Sequence, residues 1–160
     1  MEAVLKKVYG SRRIKQSLNI ISHASTLVGV VAFVSVLIYS YLETPLFAFK
    51  IAAVAFVPFV AVSVMRRVIK APRPYEIYEF YQIPPKDKVG QSFPSRHVFS
   101  AFIIATLACV ASIWLSIILF AVGICLAVSR VLLGIHFIRD VVAGALIGIA
   151  SGVIGIIIIL

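Results

Sequence analysis

The stretch Ser129-Arg130-Val131-Leu132-Leu133-Gly134-Ile135-His136-Phe137-Ile138-Arg139-Asp140 separates two long apolar runs and carries an arginine, a histidine and an aspartate. Gly134 reads as a helix stop, so Arg130 ends one helix and His136 opens the next. The stretch therefore joins two helices. His136 and Asp140 are four apart, which places them on one helix face, one turn from each other. A carboxylate in that position holds one imidazole nitrogen and leaves the other free as a nucleophile or base. Capping of helix ends at a membrane surface would need the same residue types, so the pair alone does not decide between structure and chemistry.

Composition gives the setting. The chain has 160 residues, 62% of them hydrophobic and 13% charged, with a net charge of +9 and a mean hydropathy of +1.10. Those values exclude an ordinary soluble domain. A membrane crossing needs roughly 20 apolar residues, and the expected fold is an all-α polytopic helix bundle of about five spans in one domain, 1–160. The spans are read as Leu18–Tyr41, Leu46–Met65, a third from the Pro94 region to Ser112, Ile113–Arg130 and His136–Leu160. Residues 1–16 are short and basic, with Val4, Leu5 and Val8 on one face, and read as an interfacial helix against anionic headgroups. No transit peptide or cleavable signal is expected at the start. His23 reads as a polar group near the headgroups, and Cys109 and Cys125 as buried small hydrophobes. Gly144, Gly148 and Gly152 recur every fourth residue, a spacing that lets another helix approach closely.

The polar stretches lie elsewhere. Arg66 to Gln91 is basic and aromatic, with Arg66, Arg67, Lys70, Arg73-Pro74, Tyr75, Tyr78, Tyr81, Pro84-Pro85 and Lys86-Asp87-Lys88. A connection of that length in a compact domain is usually functional. It leads into Ser92-Phe93-Pro94-Ser95-Arg96-His97, where Ser92 suits an N-cap and Pro94 a first helical turn. Free N–H groups of that turn, beside Ser95, Arg96 and His97, make an anion site. Counting crossings brings this helix start, the end of the second span and the Arg130–His136 turn to one membrane face.

These residues resemble the type-2 phosphatidic acid phosphatase superfamily, whose signature is Lys-x6-Arg-Pro, Pro-Ser-Gly-His and Ser-Arg-x5-His-x3-Asp. Here it stands as Arg66-x6-Arg73-Pro74, Pro94-Ser95-Arg96-His97 and Ser129-Arg130-x5-His136-x3-Asp140, over residues 66–140. Arg66 replaces the lysine and Arg96 the glycine; the first keeps a charge and the second adds one. The resemblance implies a membrane lipid phosphate phosphatase. In it His136, oriented by Asp140, would attack phosphorus to give a phosphohistidine. His97 would serve as acid and then base, and Arg66, Arg73, Ser95, Arg96 and Arg130 would bind phosphate.

No cofactor is expected, and no carboxylate cluster suited to magnesium is visible in the sequence, so turnover is expected to be metal-independent. The expected partners are the bilayer and a lipid phosphate, such as undecaprenyl diphosphate, phosphatidic acid or phosphatidylglycerophosphate, and not nucleic acid. Polyprenyl diphosphate is preferred among them. A non-catalytic protein that binds lipid headgroups in the same pocket is the alternative, and soluble vanadate-dependent haloperoxidases share the signature. The basic side chains gather on the site face, which the positive-inside rule places in the cytoplasm. Resemblance to bacterial lipid phosphatases implies an outward-facing site, and that orientation is preferred.

Overall fold

A computed structural model describes residues 2–78 and 89–159. Tyr81, Pro84-Pro85 and Lys86-Asp87-Lys88, expected to belong to a functional loop, lie outside the described residues. The elements are α1 (Glu2–Gly10), α2 (Arg12–Glu43), α3 (Pro45–Ile69), α4 (Pro74–Ile77), α5 (Arg96–Leu107) with a 3-10 turn at Ala108–Val110, α6 (Ile113–Leu132) and α7 (Ile138–Ile159). The fold is an all-α membrane helix bundle. Among the described residues, four helices are long and apolar enough to cross a membrane: α2, the α3 helix, α6 and α7.

Local chemistry fixes the breaks. Ser11 caps α2, its Oγ accepting the Ile14 N–H, so Arg12, Arg13 and Lys15 open the first long helix instead of extending α1. Thr44 ends α2 and caps α3 through the Phe47 N–H at 3.1 Å, and Pro45 follows in the first turn, where it needs no donor. Ser112 caps α6. The basic face of α1 stays exposed, but Leu5 and Val8 are buried, and α1 packs on α2 and α6. Of the apolar face expected to meet lipid, Leu5 and Val8 therefore meet protein, while Val4 stays exposed.

The third span differs most from expectation. Helix α5 begins at Arg96, not near Pro94, and with its 3-10 turn covers Arg96–Val110, about 22 Å at 1.5 Å per residue. That is shorter than the hydrocarbon core of roughly 30 Å. Ser92 does not cap it, because the Ser92 side chain is engaged elsewhere; Ser95 is the N-cap and makes no side-chain capping bond. Helix α5 can be short because it sits in the middle of the bundle, touching α2, α3, α6 and α7. Val98, Phe99, Ile103, Ala105 and Leu107 are all buried.

The glycines of α7 explain the closest of these contacts. A Cβ on Gly144 would lie 2.6 Å from the Ser95 carbonyl oxygen, one on Gly148 2.6 Å from that of Phe99, and one on Gly152 2.7 Å from Thr106. The stripe thus lets the backbone of α7 rest on that of α5. Ser116 adds a polar link, donating to the Ala105 carbonyl at 2.7 Å. Cys109 and Cys125 are free thiols and both exposed, so the expected burial does not hold; their helix faces point outward from the bundle.

Candidate functional site

Helix α6 ends as its sequence dictates. Gly134 adopts φ +65°, the Ile135 N–H donates to the Arg130 carbonyl at 3.1 Å and the Gly134 N–H to that of Val131 at 2.9 Å. This Schellman motif reverses the chain and leaves Arg130 in the last turn of α6. His136 then falls in the turn before α7, not on the helix itself. Asp140, in the first turn of α7, accepts the Phe137 N–H at 2.9 Å through Oδ2, the reciprocal half of a capping box.

The imidazole and carboxylate are close but not directly bonded: His136 Nδ1 lies 3.7 Å from Asp140 Oδ2. Ser92 lies between them. Its hydroxyl donates to Asp140 Oδ2 in a short hydrogen bond and is 3.4 Å from His136 Nδ1. Ser92 and Asp140 are both fully buried and His136 nearly so. The expected two-residue pair is a buried three-residue cluster, and Ser92, read from the sequence only as a helix cap, is the member that reading missed. Its contact spans 48 residues, and no local pattern reports it.

The remaining segments are tied to this cluster through their backbones. The Ser95 N–H donates to the Asp140 carbonyl at 2.9 Å, and the Ser92 N–H to that of Ala71 at 2.9 Å. Arg66 donates to the Pro94 carbonyl at 2.7 Å, Arg73 to that of Gln91 at 3.5 Å, and the Arg73 guanidinium lies 5.6 Å from the Tyr75 ring centre. Glu76 accepts the Gly90 N–H at 3.0 Å, which ties the two described ends of the long connection together.

The outcome is a cavity of about 140 Å³ whose lining includes Arg66, Arg73, Arg96, His97, Arg130 and His136. Arg67 and Gln91, not singled out from the sequence, also line it. Asp140 stands behind His136. Ser95, expected to bind phosphate, is fully buried and does not line the cavity, and its Oγ has no hydrogen-bond partner among the described residues. No carboxylate among the described residues lines the cavity, so its field favours an anion. Among the described residues there is also no group of three or more His, Cys, Asp or Glu able to hold a metal ion.

Burial holds the His136 pKa below the ordinary 6.5; Asp140 opposes that shift and Arg73 and Arg66 add to it. The imidazole is therefore neutral at pH 7, with Nδ1 facing Ser92 and Asp140 and Nε2 available to the cavity. Such an arrangement is chemically suited to a phosphate-like anion placed against the imidazole nitrogen.

The family model described as PAP2 superfamily matches residues 47–159. Among solved structures, Aquifex aeolicus LpxE is similar, with a TM-score of 0.72 and 24% identity over 91% of this chain and 87% of that one. A transmembrane PAP2-type phosphatidylglycerolphosphate phosphatase from Bacillus subtilis matches at a TM-score of 0.49 and 20% identity, over 98% of this chain and 90% of that one. No curated protein matches.

Proposed function

The chain belongs to the PAP2 superfamily, and from that premise we propose that it is a membrane phosphatase acting on the phosphomonoester or diphosphate groups of lipids. Undecaprenyl diphosphate, phosphatidic acid and phosphatidylglycerophosphate are the candidate substrates, the first preferred. The whole of 1–160 forms one phosphatase domain, with residues 66–140 supplying its chemistry. The observation that carries this reading is the arginine-lined cavity with neutral, buried His136 at its wall, backed by Ser92 and Asp140.

In the proposed cycle His136 Nε2 attacks phosphorus while the bond to the leaving oxygen breaks. Protonated His97 gives its proton to that oxygen. Arg66, Arg73 and Arg130, with the Ser95 hydroxyl, hold the phosphoryl oxygens and neutralise the charge that builds on them. His97, now a base, takes a proton from water, which attacks the phosphohistidine and releases inorganic phosphate. Ser92 and Asp140 hold Nδ1, which keeps the Nε2 lone pair directed at the substrate. Guanidinium groups supply the positive charge, so turnover is independent of added metal. The site face is taken as outward: resemblance to bacterial lipid phosphatases favours it, while the basic residues of α1 and the start of α2 oppose it.

The test is phosphate release from undecaprenyl diphosphate and phosphatidic acid in detergent with EDTA present, comparing wild type with His136→Ala. Wild type should turn over and the variant should lose activity on the order of 10⁴-fold. Because the nucleophile must be neutral and its pKa lies below 6.5, the acid limb of the kcat/KM profile, which reports protonation of His136, should lie below pH 6.5. No release from either lipid or from soluble phosphate esters, with saturable lipid binding, would make the headgroup-binding reading the better one.

A further inference from the structure

Arg96 is, with Arg66, one of the two residues by which this chain departs from the family pattern at the site, and three observations say what it does there. It opens α5 with an exposed side chain, its guanidinium 5.4 Å from the Phe59 ring centre, and no carboxylate among the described residues pairs with it. It lines the 140 Å³ cavity and also a neighbouring cavity of about 270 Å³; His97 is the other residue common to both. The second cavity is lined by Ser25, Thr26 and Ser100 as well as by Phe59 and Ile104. Beyond it, Val30, Phe59, Ser100 and Ile104 continue into an apolar groove of about 590 Å³ along α2, α3 and α5. From His136 outward the order is thus an arginine-lined chamber, a junction holding Arg96 and His97, and an apolar channel.

We propose that Arg96 reads a second phosphoryl group at this junction and sets the chain's preference for lipid diphosphates over lipid monophosphates of the same tail. The proposal rests on the phosphatase reading above and narrows its substrate class. In-line displacement places the leaving oxygen opposite His136, on the side where His97 stands. With a monophosphate of an uncharged lipid alcohol, the leaving group is an alkoxide that takes one proton and carries no other charge, so a guanidinium at the junction has no anion to hold. With a diphosphate, His136 Nε2 bonds to the terminal phosphorus and the bond to the bridging oxygen breaks. The electron pair stays on the departing lipid monophosphate, which takes the proton from His97. Water then cleaves the phosphohistidine, and the sum is lipid diphosphate plus water giving lipid monophosphate plus inorganic phosphate. The departing phosphate stays an anion even after it takes that proton, its charge spread over its oxygens, and a guanidinium meets two of them at once. Phe59 limits the directions open to the Arg96 head, and the tail leaves along the same ring. A glycine at this position would leave the junction without that cation.

The experiment compares farnesyl diphosphate with farnesyl monophosphate, which share one tail, on wild type, Arg96→Gly and Arg96→Lys in detergent. The ratio of the two kcat/KM values is the readout. Wild type should favour the diphosphate. Arg96→Gly should lower that ratio about tenfold to a hundredfold, the effect of one hydrogen-bonded charge on a charged group. Arg96→Lys should fall between, since a point charge replaces a fork. Equal losses on both substrates, or an unchanged ratio, would overturn the proposal. If Arg96→Gly does not fold by thermal unfolding in detergent, the lysine variant alone decides: a ratio equal to wild type counts against the role. Wild type that cleaves neither compound, like His136→Ala, would sink the phosphatase reading and this proposal with it, a pattern distinct from active enzyme with an unmoved ratio.

Discussion

Two sides of the bundle are built on opposite principles. Between α5 and α7 the backbones touch through Gly144, Gly148 and Gly152, and a single added carbon would fall within 2.6–2.7 Å of a neighbour. Along α3, by contrast, Ile51, Val62 and Arg66 are the buried residues, Phe49 and Phe56 are largely exposed, and a 590 Å³ groove runs beside them. The tight side carries Ser95, His97 and Asp140, whose relative positions must hold to a fraction of an ångström for group transfer. The loose side faces what a bilayer contains, hydrocarbon of variable length. The difference teaches where the fold is close-packed and where it is open: in the proposed reaction the tight pair positions His97 and Asp140, and the open groove beside α3 is where the apolar cargo would lie.

The comparison breaks most sharply at Gly144. Gly144→Ala drives a methyl into the Ser95 carbonyl at 2.6 Å, a backbone atom that cannot turn away. Overpacking of this kind costs about 1–3 kcal/mol, and the shift falls on the helix start that holds His97. Gly29→Ala on α2 meets nothing within 4 Å and should be neutral or gain about 0.5–1 kcal/mol. Thermal unfolding of both in detergent, with activity assayed on the same samples, checks the contrast. Similar unfolding temperatures for the two would mean that the α5–α7 contact is not tight.

The glycine spacing was legible as packing from sequence, and the residues of the three signature segments could be assigned to one membrane face by counting crossings. The details that were not legible share a cause. The late start of α5 and the role of Ser92 go with contacts between segments more than 40 residues apart, from the Ser95 N–H to the Asp140 carbonyl and from the Ser92 hydroxyl to the Asp140 carboxylate. A serine before a helix reads locally as a cap, and only the approach of Asp140 gives its hydroxyl another partner. Burial of α1 through Leu5 has the same origin, because an amphipathic face does not say whether protein or lipid will cover it.

A smaller effect is expected at Ser92. Ser92→Ala removes a donor from the buried carboxylate of Asp140, a loss of about 1–3 kcal/mol. If the hydroxyl orients the nucleophile, kcat should fall about tenfold to a hundredfold with KM little changed, and Ser92→Thr should restore part of it. A fall in stability with kcat intact would assign Ser92 to folding alone.

The smallest change is predicted on the loose side. Ala53→Trp fills part of the apolar groove and should raise KM for a long-chain lipid phosphate about tenfold. KM for a soluble short-chain phosphate ester should stay as it was. Equal effects on both would place the tail elsewhere.

The order of the helices also makes the molecule a two-ended topology gauge. The ends of α3 and α6 and the start of α5 meet at the arginine-lined cavity, whereas the α2–α3 turn and Val110 meet at the far face. Helix α7 leaves the cavity face, so the chain near Glu2 and the chain near Ile159 emerge on opposite sides of the bilayer. A membrane-impermeant label that reaches an N-terminal handle but not a C-terminal one in intact cells would put the arginine-lined face outside; the reverse result would put it in the cytoplasm.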